Sequence, residues 1–254
     1  MIFRFFIFAI CAALPFLFAD AALAQGISID LGNSDGDGTV TGRVVQLVAL
    51  LTILSLAPSI LIMMTSFTRI VVVLSFLRTA IGLQQTPPNT VMISLAIFLT
   101  LFIMAPTLNA VYEDAVLPLI NEDIDEVQAF EQGVAPFKVF MGAHVRPQDL
   151  NLFLEMNDTP MPESAVDAPL TILVPAFMIS ELRRAFEIGF MLFLPFLIID
   201  LVTASILMSM GMMMLPPITI SLPFKIIFFV LVDGWYLITG SLIRSFDIVN
   251  VPVP

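Results

Sequence analysis

The sequence predicts an all-α integral membrane protein: two apolar helical hairpins, each reversed at a Pro-Pro turn, flanking an amphipathic helical polar insert. Three observations carry this expectation. Hydrophobic residues make up 59% of the 254-residue chain and charged residues only 12%, with a mean hydropathy of +1.02. A soluble domain of that composition would expose far more apolar surface than it could bury. The apolar residues also run in stretches long enough to cross a hydrocarbon layer of about 30 Å as helices, the clearest being Phe186 to Met210 and Phe224 to Ile243. Finally, Pro87-Pro88 and Pro216-Pro217 punctuate the two halves, and paired prolines lack the amide hydrogens that a continuing helix needs.

Residues 1–24 read as a cleaved secretory signal. Arg4 supplies the positive start, Phe5 to Phe18 the short apolar core, and Ala22-Leu23-Ala24 a small-x-small cleavage site. The sole cysteine, Cys11, lies inside it, so the mature chain is expected to hold no disulfide and no thiolate metal site. Residues 25–43 form a polar, glycine-rich segment. Within it Asn33-Ser-Asp-Gly-Asp-Gly38 resembles the start of a calcium loop, but the twelfth position is Val44 where a bidentate Glu is needed. A plain Asp/Gly turn is the better reading.

Residues 44–111 form the first apolar hairpin, interrupted by Arg69 and Arg78 and turned at Pro87-Pro88. Residues 112–169 are the polar insert. Between Glu113 and Asp167 it holds twelve carboxylates against Lys138 and Arg146, which accounts for nearly all of the net charge of -11. Val127, Phe130, Val134, Phe137, Phe140 and Met141 recur within it at close to a helical period, so it is expected to fold as amphipathic helices.

Residues 170–254 form the second hairpin. Its first arm carries Glu181-Leu-Arg-Arg-Ala-Phe-Glu187, where Glu181, Arg183, Arg184 and Glu187 can neutralise one another along one helix at i,i+3 and i,i+4. An interfacial helix end is the plain reading and an intersubunit contact the alternative. Further along, Asp200 lies as far before Met212-Met213 as Lys225 lies after it. Antiparallel helices would bring the two charges to one depth. A lone charge in a bilayer core costs at least ~3 kcal/mol, so an Asp200–Lys225 ion pair is expected. Between them, Met208, Met210, Met212, Met213 and Met214 crowd the turn at Pro216-Pro217. These flexible thioethers suit either apolar filling or a surface that must deform around something.

Several functions are excluded. Phosphate recognition needs clustered Lys and Arg, so nucleic acid is not an expected partner. The single histidine, His144, cannot supply a Ser-His-Asp triad or a multi-His metal site and reads as a surface residue. Neither lysine stands in a phosphate-binding loop. No enzyme activity and no cofactor are expected.

If the signal is removed, the mature N-terminus lies outside and Arg69 and Arg78 fall on the cytoplasmic side, as basic residues prefer. The acidic insert then falls outside, but Arg183 and Arg184 follow it directly, where basic residues are disfavoured. A simple four-span topology is therefore strained.

Both hairpins resemble the FliP family, the P component of the bacterial flagellar type III export gate. The matching strings are Ile198-Ile-Asp-Leu-Val202, Gly211-Met-Met-Met-Leu-Pro-Pro217, Leu222-Pro-Phe-Lys225 and Val230-Leu-Val-Asp-Gly-Trp235 in the second half. Leu61-Ile-Met-Met-Thr-Ser-Phe-Thr-Arg69, Leu77-Arg78 and Pro87-Pro-Asn89 match in the first. The resemblance implies a core gate subunit in the bacterial inner membrane at the flagellar basal body, with its insert periplasmic. It implies five copies assembled with the Q and R gate proteins, in contact with membrane lipid and with unfolded rod, hook and filament subunits. It also implies a methionine gasket at Met212, Met213 and Met214. The signal and the long insert favour the flagellar branch over the related injectisomes. The alternative from a different class is a proton-translocating carrier using Asp200, Asp233 and Glu187.

Overall fold

The computed structural model describes residues 40–83, 86–211 and 216–247. The expected signal with Cys11, the Asn33–Gly38 turn and Met212, Met213 and Met214 lie outside the described residues. The chain divides into two units, 1–51 and 52–254, and nearly all described structure belongs to the second. Every regular element among the described residues is helical.

Helix α1 spans Val40–Met63 and α2 spans Phe67–Ile81. Gly82 stops α2 by taking a left-handed φ of 89°, which turns its N–H onto Thr79 O. Pro88 then leads extended into α3, Asn89–Val111. The helical path does not end at Val111 as expected. It passes through one wide turn, Tyr112–Val116, into a short helix α4, Leu117–Ile120. The polar insert then folds as α5, Glu126–His144, and α6, Pro147–Met156. Asp125 starts α5 by accepting the Gln128 N–H at 2.7 Å. Pro147 starts α6, where its missing amide is no loss.

Helix α7 runs unbroken from Leu170 to Ser209. Its 40 residues make it about 60 Å long, roughly twice the thickness of a bilayer core. It therefore cannot lie wholly within one membrane as a simple span, and its charged stretch Glu181–Glu187 sits in its N-terminal half. Gly211 ends it with a φ of 72°, and the chain re-enters helix at Pro217, the first residue of α8, Pro217–Leu231.

The expected single apolar arm from Phe224 to Ile243 is broken. Helix α8 stops at Leu231, and α9, Gly234–Asp247, departs at 63°. The cause is local: Asp233 takes a left-handed φ of 50°, and the Phe229 ring occupies the place of a side chain on Gly234, where a Cβ would lie 2.2 Å from a ring atom. Two continuous helical runs, Asn89–Ile120 and Leu170–Ser209, are long and apolar enough to cross a membrane, and the bent pair α8–α9 would make a third. The protein is an integral membrane protein of helical hairpins.

Helix α2 sits at the centre. Its buried face, Ile70, Val73, Leu74, Leu77, Ala80 and Ile81, recurs at the three- and four-residue spacing of one helical stripe. That face packs with Met92 and Ala96 of α3, Ala185 and Phe196 of α7, Phe229 of α8, and Leu242 and Phe246 of α9. A second core joins the insert to the hairpins through Met64, Met104, Phe137, Met141, Leu150, Leu154, Leu173 and Phe177. In the insert, Phe137 and Met141 are buried, but Val127 and Phe130 face outward.

Helix α2 approaches α7 closely at Gly189, where a Cβ would meet the Phe76 ring at 2.5 Å. Gly189→Leu should therefore lower thermal stability by about 1–3 kcal/mol, the usual cost of overpacking. Adding Phe76→Ala should recover part of the loss. Thermal unfolding of the detergent-solubilised protein reads both variants.

Candidate functional site

An apolar helix that carries an ionisable side chain must find it a partner, and the structure resolves this in two polar clusters. The first lies between α7 and α8. Lys225 Nζ donates to Asp200 Oδ2 at 2.6 Å and to the Ala80 carbonyl at 3.1 Å. Ser221 Oγ donates to the other Asp200 oxygen, Oδ1, at 2.6 Å. The structure thus brings Asp200 and Lys225 together. The partners are unequally placed: the Lys225 side chain is 5% exposed and that of Asp200 32%. Lysine is the buried member, and the bond to Ala80 O ties it to the C-terminal end of α2. Both Asp200 oxygens accept hydrogen bonds from within the chain.

The second cluster has no counterpart in the expectations from sequence. Arg69, on α2, is 1% exposed, and Glu181, on α7, is 0% exposed. Arg69 Nε donates to Glu181 Oε2 at 2.8 Å and Nη2 donates to Oε1 at 2.5 Å, a bidentate fork. The third nitrogen, Nη1, donates to Ser245 O at 3.1 Å and Ser245 Oγ at 3.0 Å on α9. The guanidinium also lies 3.6 Å from the centre of the Phe246 ring, a cation–π contact that strengthens with desolvation. One side chain therefore joins α2, α7 and α9.

This corrects the reading of Glu181. It does not pair along its own helix, and a fully buried carboxylate held by Arg69 offers nothing to a neighbouring subunit. Of the four residues grouped there, Arg183 and Glu187 form the expected exposed i,i+4 pair at 2.9 Å, and Arg184 is half-buried. Arg69, being neutralised inside the core, also carries no information on membrane orientation. Arg78 differs, being only partly buried and donating to Asn89 Oδ1 at the start of α3.

One residue before Glu181, Ser180 fixes the insert. Its hydroxyl donates to Asp149 Oδ2 at 2.6 Å and accepts the Arg146 backbone N–H at 3.0 Å. Adjacent residues of α7 thus anchor the start of α6 on one side and α2 with α9 on the other.

His144 is also corrected: it is buried, not on the surface. Nδ1 lies 2.8 Å from the Phe140 carbonyl, which can only accept, so Nδ1 carries the proton. Nε2 is buried without a hydrogen-bond partner. The ring lies against Phe140 at 4.6 Å and against Phe246 at 5.4 Å, the same Phe246 that stacks on Arg69. Burial pulls the imidazole below its usual value of 6.5, and the bond to Phe140 O offsets this only in part. Among the described residues there is no group of three or more His, Cys, Asp or Glu side chains able to hold a metal ion.

The fold and its buried ion pairs define a helical integral membrane protein whose core charges are held in internal clamps. The chain belongs to the FliP family, whose model matches residues 50–242. It is 59% identical over 238 residues to the flagellar biosynthetic protein FliP of Caulobacter vibrioides, covering 93% of this chain and 87% of that one. It is 57% identical to the protein of the same name from Bacillus subtilis over 84% of this chain and 96% of that one. Against the one from Borreliella burgdorferi the identity is 43%, over 96% and 98%.

Two tests follow from this geometry. Arg69→Met leaves a buried carboxylate without its cation and should cost about 3–5 kcal/mol, whereas Arg69→Met with Glu181→Met should recover most of that loss. The thermal midpoints of the two variants decide it. The second test concerns pH. The folded-state pKa of His144 is depressed, so its contribution to stability is complete above 6.5 and is lost as pH falls below 6.5 toward the folded value. The thermal midpoint of the wild type should therefore drop more between pH 7 and pH 5.5 than that of His144→Phe.

Proposed function

We propose that this chain is a core subunit of the flagellar type III protein export gate and forms part of the conduit for rod, hook and filament subunits. Family membership carries the proposal. The disposition of polar groups supports it: Arg69, Glu181 and Lys225 are turned inward, while the outer face of α7 presents Phe186, Phe190, Met191, Leu197, Ile198 and Leu201. A helix about twice the bilayer thickness with such a face is suited to packing against other helical subunits.

In this reading five copies assemble with the Q and R gate proteins in the cytoplasmic membrane at the flagellar basal body, with the insert facing the periplasm. The assembly is of the flagellar branch. Met212, Met213 and Met214 form the seal, a ring of deformable thioethers that parts for a polypeptide and closes against ions. The Asp200–Lys225 pair is the clamp that holds α7 and α8 as a hairpin, with Pro216 and Pro217 setting its turn. Arg183, Arg184 and Glu187 contribute contacts between subunits. The hydrogen bonds to both Asp200 oxygens favour the clamp over a proton carrier, which needs a carboxyl free to exchange its proton.

Membrane ion leakage in cells expressing the protein with its gate partners tests the seal. Met212→Ala/Met213→Ala/Met214→Ala should leak while complex yield stays normal, and no leak from an equally assembled mutant complex would move the gate elsewhere. Asp200→Asn should reduce complex yield. Normal yield with lost transport would favour the carrier.

A further inference from the structure

The insert carries an apolar groove that neither polar cluster uses. It has a volume of about 650 Å³ and lies between the wide turn after α3 and one side of α5. Its floor is made of small residues, Ala115, Ala129 and Gly133, and a Cβ on Gly133 would come within 3.4 Å of the Ala115 methyl. Val116, Leu119 and Phe130 rise as its walls, and Phe130 is 68% exposed. The groove follows α5 from Ala129 to Phe137, about 12 Å or two helical turns.

The charged residues next to its lining in sequence are acidic except for Lys138, which follows Phe137. Glu126 lines the groove itself. Glu113 and Asp114 on the wide turn, Glu122 and Asp123 on the following loop and Glu131 on α5 are all exposed. No Lys or Arg occurs between Arg78 and Lys138. An apolar trough two turns long among uncompensated carboxylates selects its occupant by charge. Anionic lipid headgroups are repelled. A second copy of this chain is a poor match, because around Arg183 and Arg184 the exposed Arg183 is already paired with Glu187 and Arg184 is half-buried. What fits is a helix with apolar residues on one face and Lys or Arg flanking them.

We propose that the groove is a docking site for a basic amphipathic helix of a different protein chain. Two to three large apolar side chains enter between Phe130 and Val116, and their basic flanks meet Glu113, Asp114, Glu126 and Glu131.

The test uses the full chain in nanodiscs of zwitterionic lipid and two fluorescent helical peptides with the same leucine face, one with a lysine and one with a glutamate polar face. Anisotropy is read against empty discs. The lysine peptide should bind saturably. Its affinity should fall about tenfold with Phe130→Ser, and about tenfold with Glu113→Gln/Asp114→Asn/Glu126→Gln/Glu131→Gln, a loss of roughly 1.4 kcal/mol in each case. Both variants alter exposed positions, so folding is preserved, and thermal unfolding checks this. Equal binding of the two peptides, or lysine-peptide binding that neither variant changes, overturns the proposal. It also falls if Phe130→Ser instead changes the oligomeric size of the protein, or if phosphatidylglycerol in the discs abolishes lysine-peptide binding to the wild type at constant ionic strength.

Discussion

A guanidinium out of reach of water is tolerable only if the protein supplies acceptors for its hydrogen bonds and a charge to balance its own. Arg69 meets that requirement from three directions at once: the Glu181 carboxylate on α7, the carbonyl and hydroxyl of Ser245 on α9, and the face of Phe246. The geometry leaves little choice in how these helices meet. The fork needs both Glu181 oxygens in one plane with Arg69, which fixes the rotation of α7 against α2, and the third nitrogen fixes the end of α9. In lipid, where apolar packing between helices has no hydrophobic driving force of its own, such a contact sets register more firmly than interchangeable leucines do.

The same principle operates a second time near the other end of α7. Lys225 is the buried partner and Asp200 the half-exposed one, with Ser221 and the Ala80 carbonyl completing the set. The two clusters are nineteen residues apart on a single unbroken helix, about 28 Å, and each reaches back to α2. Helix α7 is thus held to α2 at two levels, with the Phe76–Gly189 contact between them. Inward-turned charge also explains the outer surface. With Glu181 and Lys225 taken up by the clamps, the faces of α7 and α8 left outward are apolar apart from the exposed Arg183–Glu187 pair.

Position along α7 also couples the insert to the hairpins. Ser180 and Glu181 are neighbours in sequence and point to different parts of the fold, one to the α5–α6 junction and the other to the α2–α9 side. His144 closes this joint through Phe246, so the sole imidazole of the chain lies against the ring that carries Arg69. A proton on Nε2 would face a buried space without an acceptor and an arginine close by.

The sequence by itself determined the class, because composition and apolar run length depend on no tertiary detail. It also determined the Asp200–Lys225 pair, since two helices joined by a short turn convert spacing along the chain into depth. The Arg69–Glu181 pair was out of reach of that argument. Its partners lie 112 residues apart, across the whole insert, and Glu181 had plausible partners within its own helix in Arg183 and Arg184. The available signal was weaker: an arginine in one apolar stretch and an acidic residue in another, with no distance rule to link them. Burial of His144 was hidden for the same reason, since its pocket is assembled from α5 and α9. The break at Asp233 was decided by the Phe229 ring lying where a Gly234 side chain would be. Local chemistry fixes what each segment is. Which charge meets which across a long insertion is decided only when the helices pack, because only then does burial remove the alternatives.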